Sequence, residues 1–334
     1  MADSTGMTVA NPLRTTISVA VVVVLFAIDM GDRLAAQAAA QSAMAASART
    51  PLRPYDALDE ASRRDIPRAV YDSARQQTAF DILALRYQCP GAAVTGVLIR
   101  PKHSGRRRWP AIVYNRGGTG DVGRLDDPAV AEMYLLAKSG FVVIASDYRF
   151  HGAQSKRDEW GGADVEDVMG LFPLLRSDAV VDTARLFMLG AGRGGTMAYL
   201  ALQRGAPVKA AAVIAGPSDL EALGHARPSF VNGDDAYDGW ARVWPDYIHR
   251  AAEHYRARSA VYWADQITVP MLLLHAKDDQ VVPVDQALRM AAALETAGRR
   301  YDLQVFLNDG HSLSRHRDER NREIVRWFNA AASE

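Results

Sequence analysis

Cysteine is nearly absent from this sequence of 334 residues, in which Cys89 is the single one. A lone cysteine excludes a disulfide bond within the chain, and it also excludes a zinc site built mainly from cysteines. Its place at the end of a predicted strand favours a half-buried structural residue. We expect neither a metal ion nor a cofactor.

Net charge is also absent, because 39 lysine and arginine residues balance 39 aspartate and glutamate residues. A protein that binds nucleic acid through its general electrostatic field carries an excess of basic residues. The basic run 106–108 lies in a predicted turn, where such a run is usually solvated. We therefore expect no nucleic-acid partner, and the sequence leaves the oligomeric state open.

A long hydrophobic run is missing as well. The apolar run from Ile17 to Ile28 is shorter than the roughly 20 residues that a membrane-spanning helix needs. It has the length of a signal-peptide core, with Arg14 before it and the small-residue site Ala36-Gln-Ala38 after it. We predict that residues 1–50 form a signal peptide, or a membrane anchor, followed by a linker. The protein would then be exported to the periplasm or secreted, or held at a membrane, and its folded domain would cover residues 51–334.

Apolar strands and amphipathic helices alternate through most of that domain, a pattern typical of a mostly parallel sheet with helices on both faces. Strands are predicted at 78–88, 93–100, 111–115, 141–146, 185–189, 209–215, 269–275 and 301–307. Helices are predicted at 128–139, 164–175, 285–297 and 315–331. The sequence therefore predicts an α/β fold.

The strand rhythm stops between residues 218 and 265, a segment rich in aromatic residues. We predict a helical insertion over the carboxyl edge of the sheet, where ligands bind in folds of this kind. Trp240, Trp244 and Tyr247 are candidates for a substrate pocket. The alternative is that these side chains only pack the insertion onto the domain.

Four glycines, at positions 190, 192, 194 and 195, join a buried strand to a helix. Gly190, Gly192 and Gly195 match a dinucleotide-binding fingerprint, but such a fingerprint requires an acidic residue at the end of the next strand. The first acidic residue after that strand, Asp219, lies beyond a proline. The other interpretation, the nucleophile elbow of a hydrolase, is therefore favoured.

An acid and a histidine follow this elbow in the order that a serine hydrolase of this class requires. Asp278 and Asp279 follow one predicted strand, and His311 follows the next. In such an enzyme the acid orients the imidazole, which takes a proton from the nucleophile. His275 and His316 are weaker candidates for the histidine.

These motifs together resemble the catalytic domain of the prolyl oligopeptidase family (peptidase family S9), a group of α/β-hydrolases. The matching segments are Tyr114-Asn-Arg-Gly-Gly118, Gly161-Gly-Ala-Asp-Val-Glu-Asp-Val168, Gly190-Ala-Gly-Arg-Gly-Gly195, His275-Ala-Lys-Asp-Asp-Gln-Val-Val-Pro283 and Asp309-Gly-His311. The resemblance implies an α/β-hydrolase fold and acyl transfer to water from an ester or a short peptide. It also implies Asp279 as the acid.

The resemblance further implies an oxyanion hole formed by backbone N–H groups. One would come from Arg193, and another from the segment Arg116, Gly117 and Gly118. We expect the large propeller domain that many family members carry to be absent here, because the residues before the globular region are too few to form one.

The chain departs from the family pattern at the centre of the elbow, where Gly192 replaces the serine. Glycine has no hydroxyl group and forms no acyl-enzyme. The sequence therefore predicts a serine-hydrolase-type domain, peptidase or esterase, that is inactive as written. A pseudoenzyme that binds or scaffolds through the same pocket is the alternative, and a dinucleotide-binding protein is a remote one.

Overall fold

A computed structural model describes residues 45–103, 105, 107–149, 159–234 and 239–333. Within these ranges nine strands form a single sheet in the spatial order β1-β2-β3-β5-β4-β6-β7-β8-β9. The strands are β1 (Ala45–Ala48), β2 (Phe80–Cys89), β3 (Ala92–Pro101), β4 (Trp109–Asn115), β5 (Val142–Ser146), β6 (Val181–Ala191), β7 (Ala210–Ile214), β8 (Met271–Ala276) and β9 (Tyr301–Phe306).

Helices connect these strands and cover the sheet. They are α1 (Glu60–Asp65), α2 (Arg68–Gln76), α3 (Asp127–Lys138), α4 (Val165–Met169), α5 (Leu171–Ser177), α6 (Arg193–Gln203), α7 (Leu220–Ala226), α8 (Pro228–Asn232), α9 (Trp240–Val243), α10 (Tyr247–Arg258), α11 (Asp285–Thr296) and α12 (Arg317–Ala332).

The sheet is antiparallel at one end and parallel over the rest. Strands β1, β2, β3 and β5 pair antiparallel, whereas β5, β4, β6, β7, β8 and β9 pair parallel. Every residue of β5 and β7 is buried, as expected for parallel strands with both faces covered. The predicted mostly parallel sheet is confirmed.

Each face of the sheet has its own hydrophobic core. Helices α3 and α12 pack on one face, and helices α4, α5, α6 and α11 pack on the other. On the first face, the Phe328 ring of α12 stacks on Phe187 of β6 with centroids 4.7 Å apart. Burying one such aromatic side chain contributes roughly 1.5–3 kcal/mol, so α12 is held firmly beside the central strands.

The described fold begins earlier than the predicted domain boundary at residue 51. Strand β1 pairs with β2 in the register Ala45 with Arg86. Arg49 continues this attachment, because its backbone N–H donates to the Ile82 carbonyl at 3.0 Å and its guanidinium pairs with Asp127 at 2.8 Å. The end of the predicted linker is therefore an edge strand, held by backbone pairing that its alanine-rich sequence does not signal.

The predicted signal peptide or anchor lies almost wholly outside the described residues, and export stays a prediction. Within the described ranges, no helix has the length and apolar character needed to cross a bilayer.

The helix predicted over 164–175 is divided into α4 and α5 at Gly170, where the chain passes close to β2. A Cβ atom at Gly170 would lie 2.7 Å from the Cys89 sulfur. Burial raises the pKa of that thiol to about 12. Cys89 is thus a protonated packing residue.

The insertion predicted between residues 218 and 265 consists of helices, as expected, here α7 to α10 with short 3-10 turns after them. Its Phe230, Trp240, Trp244 and Tyr255 side chains form an aromatic cluster with Trp160, which precedes α4 in the chain. Trp240 and Trp244 stack with their ring centroids 5.1 Å apart. These rings hold the insertion together as a small core of its own.

Candidate active site

The tight turn after β6 places residue 192 at the carboxyl edge of the sheet. Gly192 has φ 52° and ψ −125°, a conformation that glycine adopts at little cost and other residues adopt only with strain. Its N–H donates to the Ile214 carbonyl at 2.8 Å. A Cβ at Gly190 would lie 2.2 Å from the Gly194 carbonyl oxygen. Close packing of strand on helix therefore accounts for the glycines, without a phosphate group.

The loop after β8 holds a buried carboxylate at Asp279. One carboxylate oxygen accepts the N–H groups of Val281 and Val282 at 2.8 and 3.0 Å. The other oxygen lies 2.8 Å from Nδ1 of His311. Asp278 is exposed and instead accepts the Asn308 N–H at 3.1 Å. The geometry therefore selects Asp279 from the pair.

His311 stands between this carboxylate and the elbow. Because Nδ1–H donates to Asp279, Nε2 is left as the basic nitrogen of the neutral ring. A Cβ atom built on Gly192 would lie 2.9 Å from that Nε2. The structure thus brings the three predicted catalytic positions, 192, 279 and 311, into one chain of contacts.

Asp309 organises the loop that carries His311, a role that the sequence interpretation missed. Its carboxylate accepts the N–H of Gly310 at 2.8 Å, the N–H of His316 at 3.0 Å and the imidazole of His316 at 2.9 Å. An aspartate directly before a glycine is a common turn signal, and it could have indicated this role. His316 therefore supports the loop and does not face the elbow residue.

His275 is a buried neighbour of the Asp279 carboxylate. The ring is buried, its Nε2 donates to the Val282 carbonyl at 2.8 Å, and the same nitrogen lies 3.3 Å from the Asp279 carboxylate. Burial alone would raise the pKa of Asp279, but hydrogen bonds from His275 and His311 together with the Val281 N–H lower it overall. The carboxylate is therefore ionised at neutral pH.

This lowered pKa predicts a pH-dependent contribution to stability. A carboxyl group with a depressed folded-state pKa stabilises the fold above its unfolded pKa of about 3.9, and the contribution is lost as the pH falls further. We expect Asp279→Asn to lower the free energy of unfolding at pH 7 by about 1.5–3 kcal/mol. Urea unfolding at pH 7, 5 and 3 should show this difference shrinking below about pH 4.

The matched control is Asp278→Asn, an exposed neighbour that does not contact His311. It should change the free energy of unfolding little at any of the three pH values. A constant difference between wild type and Asp279→Asn across the series would contradict the assignment.

The loop at 116–123, called the glycine loop below, is organised by the buried side chain of Arg116. That guanidinium donates to the carbonyls of Gly117, Gly120, Val122 and Asp147 at 3.0, 2.9, 2.9 and 2.7 Å. The sequence indicated Arg116 only as a source of a backbone N–H group. Its principal contribution in the structure is a side chain that holds the loop carbonyls.

Holding a carbonyl also orients the next N–H group, because a trans peptide is planar and the two point in opposite directions. The contact of Arg116 with the Gly117 carbonyl therefore turns the N–H of Gly118 the other way. Neither the Gly117 nor the Gly118 N–H has an acceptor among the described residues. Gly117 lies beside the elbow, with its Cα 3.9 Å from a Cβ built on Gly192. Unbonded N–H groups beside the elbow are what the predicted oxyanion hole would need, and the hole itself stays a prediction.

Arg193 joins the elbow helix to the glycine loop. Its side chain is buried, donates to the Gly118 carbonyl at 3.1 Å and forms an ion pair with Asp164. The Tyr148 ring lies between the guanidiniums of Arg116 and Arg193, 4.9 Å from each. The backbone N–H of Arg193 is at the first position of α6, where a helix supplies no acceptor of its own.

A cavity of 480 Å³ opens at Gly192 and His311 and extends between α3 and α12. The three predicted pocket residues do not line it. Trp240 and Trp244 are 1% and 2% exposed within the aromatic cluster, and Tyr247 lines a separate depression on the insertion. Their aromatic surfaces are used to pack the insertion, which was the alternative left open by the sequence.

Comparison with known proteins identifies relatives of this chain. The curated relatives include the uncharacterized peptidase YtmA of Bacillus subtilis, 26% identical over 241 residues that cover 72% of this chain and 88% of that protein. The uncharacterized peptidase YuxL of the same organism is 26% identical over 257 residues, which cover 71% of this chain and 37% of that protein. The match therefore covers most of YtmA but little more than a third of YuxL.

Solved structures with this fold include the acylaminoacyl peptidase of Pyrococcus horikoshii, with a TM-score of 0.64 and 23% identity over 76% of this chain and 42% of that one. A puromycin-hydrolyzing peptidase of Mycobacterium tuberculosis gives a TM-score of 0.63 and 24% identity over 77% and 40%. These likenesses show the α/β-hydrolase fold. The model of the prolyl oligopeptidase family, peptidase family S9, matches residues 129–334, and the chain belongs to that family.

Proposed function

We propose that this chain is an S9-type hydrolase domain whose catalytic serine is replaced by Gly192, so that it binds ester or peptide ligands without forming an acyl-enzyme. The observation that carries the proposal is the position and orientation of the His311 ring. Its Nε2 lies 2.9 Å from the position of a Cβ on Gly192, while its Nδ1 is held by Asp279 at 2.8 Å. An acid–base pair is therefore directed at a position without a hydroxyl group.

Ligand binding at this site does not depend on the missing hydroxyl. The glycine loop is held by Arg116, and the cavity is formed by the sheet edge with α3 and α12. A single oxyanion donor contributes about 2.7–4 kcal/mol to transition-state stabilisation in related chemistry. The site thus retains groups that bind a carbonyl or carboxylate oxygen.

A fluorophosphonate probe that reacts with activated serines tests this proposal. The wild-type protein is expected to remain unlabelled, because Nε2 of His311 faces no hydroxyl at residue 192. Gly192→Ser should become labelled, and Gly192→Ala should not. Labelling of the wild type that is lost in Ser312→Ala, a serine beside His311 in the cavity, would overturn the proposal by identifying another nucleophile.

A further inference from the structure

The cavity beside Gly192 has two chemically different surfaces. Its floor is apolar and consists of buried side chains from the sheet and α3, namely Met133, Leu136, Leu189 and Ile214. One wall carries an ion triad formed by Glu132 of α3 with Arg317 and Arg320 of α12. A ligand that fills the cavity therefore meets apolar surface and charged groups together.

The ion triad has more hydrogen-bond donors than acceptors. Glu132 accepts from Arg317 at 2.5 Å and from Arg320 at 2.9 Å. Arg317 also donates to the carbonyls of Asp65 and Ser314. Each guanidinium has five N–H bonds, so these contacts leave two on Arg317. Two arginines and one glutamate also leave the wall with one net positive charge.

Arg320 also has two N–H bonds left over, and it contacts the residue that follows His311. It donates to Glu132, to the Asn321 side chain at 3.0 Å and to the Ser312 carbonyl at 2.7 Å. Ser312 is the residue directly after His311. Arg320 and Gly192 line the same cavity, so an anion bound by Arg320 and a carbonyl group at Gly192 can belong to one ligand.

Tyr114 adds one more donor to the cavity. Its hydroxyl has no hydrogen-bond partner among the described residues, although the residue lines the cavity. Burial, with the Glu132 carboxylate nearby, raises the pKa of Tyr114 to about 12. The hydroxyl is therefore protonated at neutral pH and can donate to a ligand oxygen.

Resting on the proposed function, we infer that the cavity binds N-acylated amino acids with a free carboxylate and an apolar side chain, of which a peptide C terminus is one form. The acyl carbon would lie beside Gly192 and His311, at the end of the cavity that these residues line. The apolar side chain would contact the floor, and the carboxylate would bind the spare N–H groups of Arg317 and Arg320, with Tyr114 nearby. These three parts match the three surfaces of the cavity.

Two acidic side chains at the cavity do not oppose this assignment. Asp65 and Asp126 are exposed, so solvent and salt screen their effect on a bound anion. Asp126 is also occupied as the N-cap of α3, where it accepts the Ala129 N–H at 3.1 Å. The buried charged side chains that line the cavity are those of Arg317 and Arg320.

Isothermal titration of the wild-type protein tests the inference without any variant. N-acetyl-L-leucine should bind, and its neutral counterpart N-acetyl-L-leucinamide should bind about tenfold to a hundredfold more weakly because it lacks the carboxylate. N-acetylglycine should also bind more weakly, because it has no side chain for the floor. Equal affinity for the acid and the amide would overturn the inference.

Substitutions in the cavity test which residues bind the ligand carboxylate. Arg320→Gln should remove the preference for the acid over the amide, whereas Arg322→Gln, an exposed arginine on the same helix, should keep it. Tyr114→Phe removes only an unbonded hydroxyl and should weaken the acid several-fold while the fold is retained. A folded Arg320→Gln protein with the full preference would contradict the assignment. If Arg320→Gln does not fold, the comparison of acid and amide on the wild type decides.

A longer peptide ligand and the labelling result separate the possible outcomes. Acetyl-Ala-Ala-Leu should bind like N-acetyl-L-leucine if only the C-terminal residue is recognised, and more tightly if a longer peptide is the ligand. Failure of all these ligands, together with fluorophosphonate labelling of Gly192→Ser, would reject the ligand class and leave the proposed function standing. Labelling of the wild type would instead reject the proposed function.

Discussion

Gly192→Ser is expected to raise hydrolysis of an activated ester, such as p-nitrophenyl acetate, by about 10²-fold or more over the wild type. Catalytic triads act as a unit, and loss of one member typically lowers kcat by about 10⁴–10⁶. Here Asp279 and His311 are already in contact at 2.8 Å. Adding the hydroxyl therefore completes an arrangement whose other parts are in place. Initial rates of p-nitrophenol release at pH 8 measure the effect.

The same substitution carries a cost that the structure makes explicit. Residue 192 has φ 52°, and a Cβ there would lie 2.9 Å from Nε2 of His311. The imidazole must therefore move by a few tenths of an ångström, and the strained backbone costs about 1–3 kcal/mol. We expect Gly192→Ser and Gly192→Ala to lose similar stability, which makes Gly192→Ala the matched control without a hydroxyl.

Ester hydrolysis should require both the hydroxyl introduced at position 192 and the His311 imidazole. Gly192→Ala should stay at the wild-type rate, and His311→Ala in the Gly192→Ser background should remove the gain. A folded Gly192→Ser protein that remains inert towards a panel of esters and peptide amides would show that residue 192 is not the nucleophile position.

Asp164→Asn is expected to be the most destabilising single substitution near the site, lowering the free energy of unfolding by about 3–5 kcal/mol. Asp164 is fully buried, and its carboxylate faces the buried guanidinium of Arg193. Asparagine keeps the shape but removes the charge that compensates this guanidinium. Losing one member of a buried pair is costly because the other charge remains out of water. Urea unfolding at pH 7 measures the loss.

The effect should also reach the glycine loop, since Arg193 holds the Gly118 carbonyl at 3.1 Å. Asp56→Asn is the control, because Asp56 and its partner Arg68 are both more than half exposed. An exposed pair of that kind contributes about 0–1 kcal/mol. Equal losses for the two substitutions would contradict the special role assigned to the buried pair.

The sequence by itself determined the sheet and the order of the predicted catalytic positions along the chain. Apolar runs and helical periodicity are local signals, so the strands before Asp279 and His311 were predicted within two residues of their observed bounds. The strand before Gly192 was predicted over 185–189 and is longer in the structure, Val181–Ala191. Carboxyl ends of parallel strands meet at one edge of a sheet, which is why residues far apart in the chain could be expected to meet.

The tertiary structure decided what each neighbouring side chain does. The aromatic residues of the insertion could line a pocket or pack a core, and only their mutual contacts placed Trp240 and Trp244 in the core. The side chain of Arg116 reaches carbonyls up to 31 residues away in sequence, a contact that no local pattern encodes.

The cavity itself was also decided by packing. Glu132 meets Arg317 and Arg320 across 185 and 188 positions of the chain, because α3 and α12 lie together on one face of the sheet. A pairing of this kind depends on how helices dock, and helix docking is set by the summed burial of many side chains. The sequence therefore determined where the chemistry lies, and the packing of α3 against α12 decided the shape and charge of the space beside it.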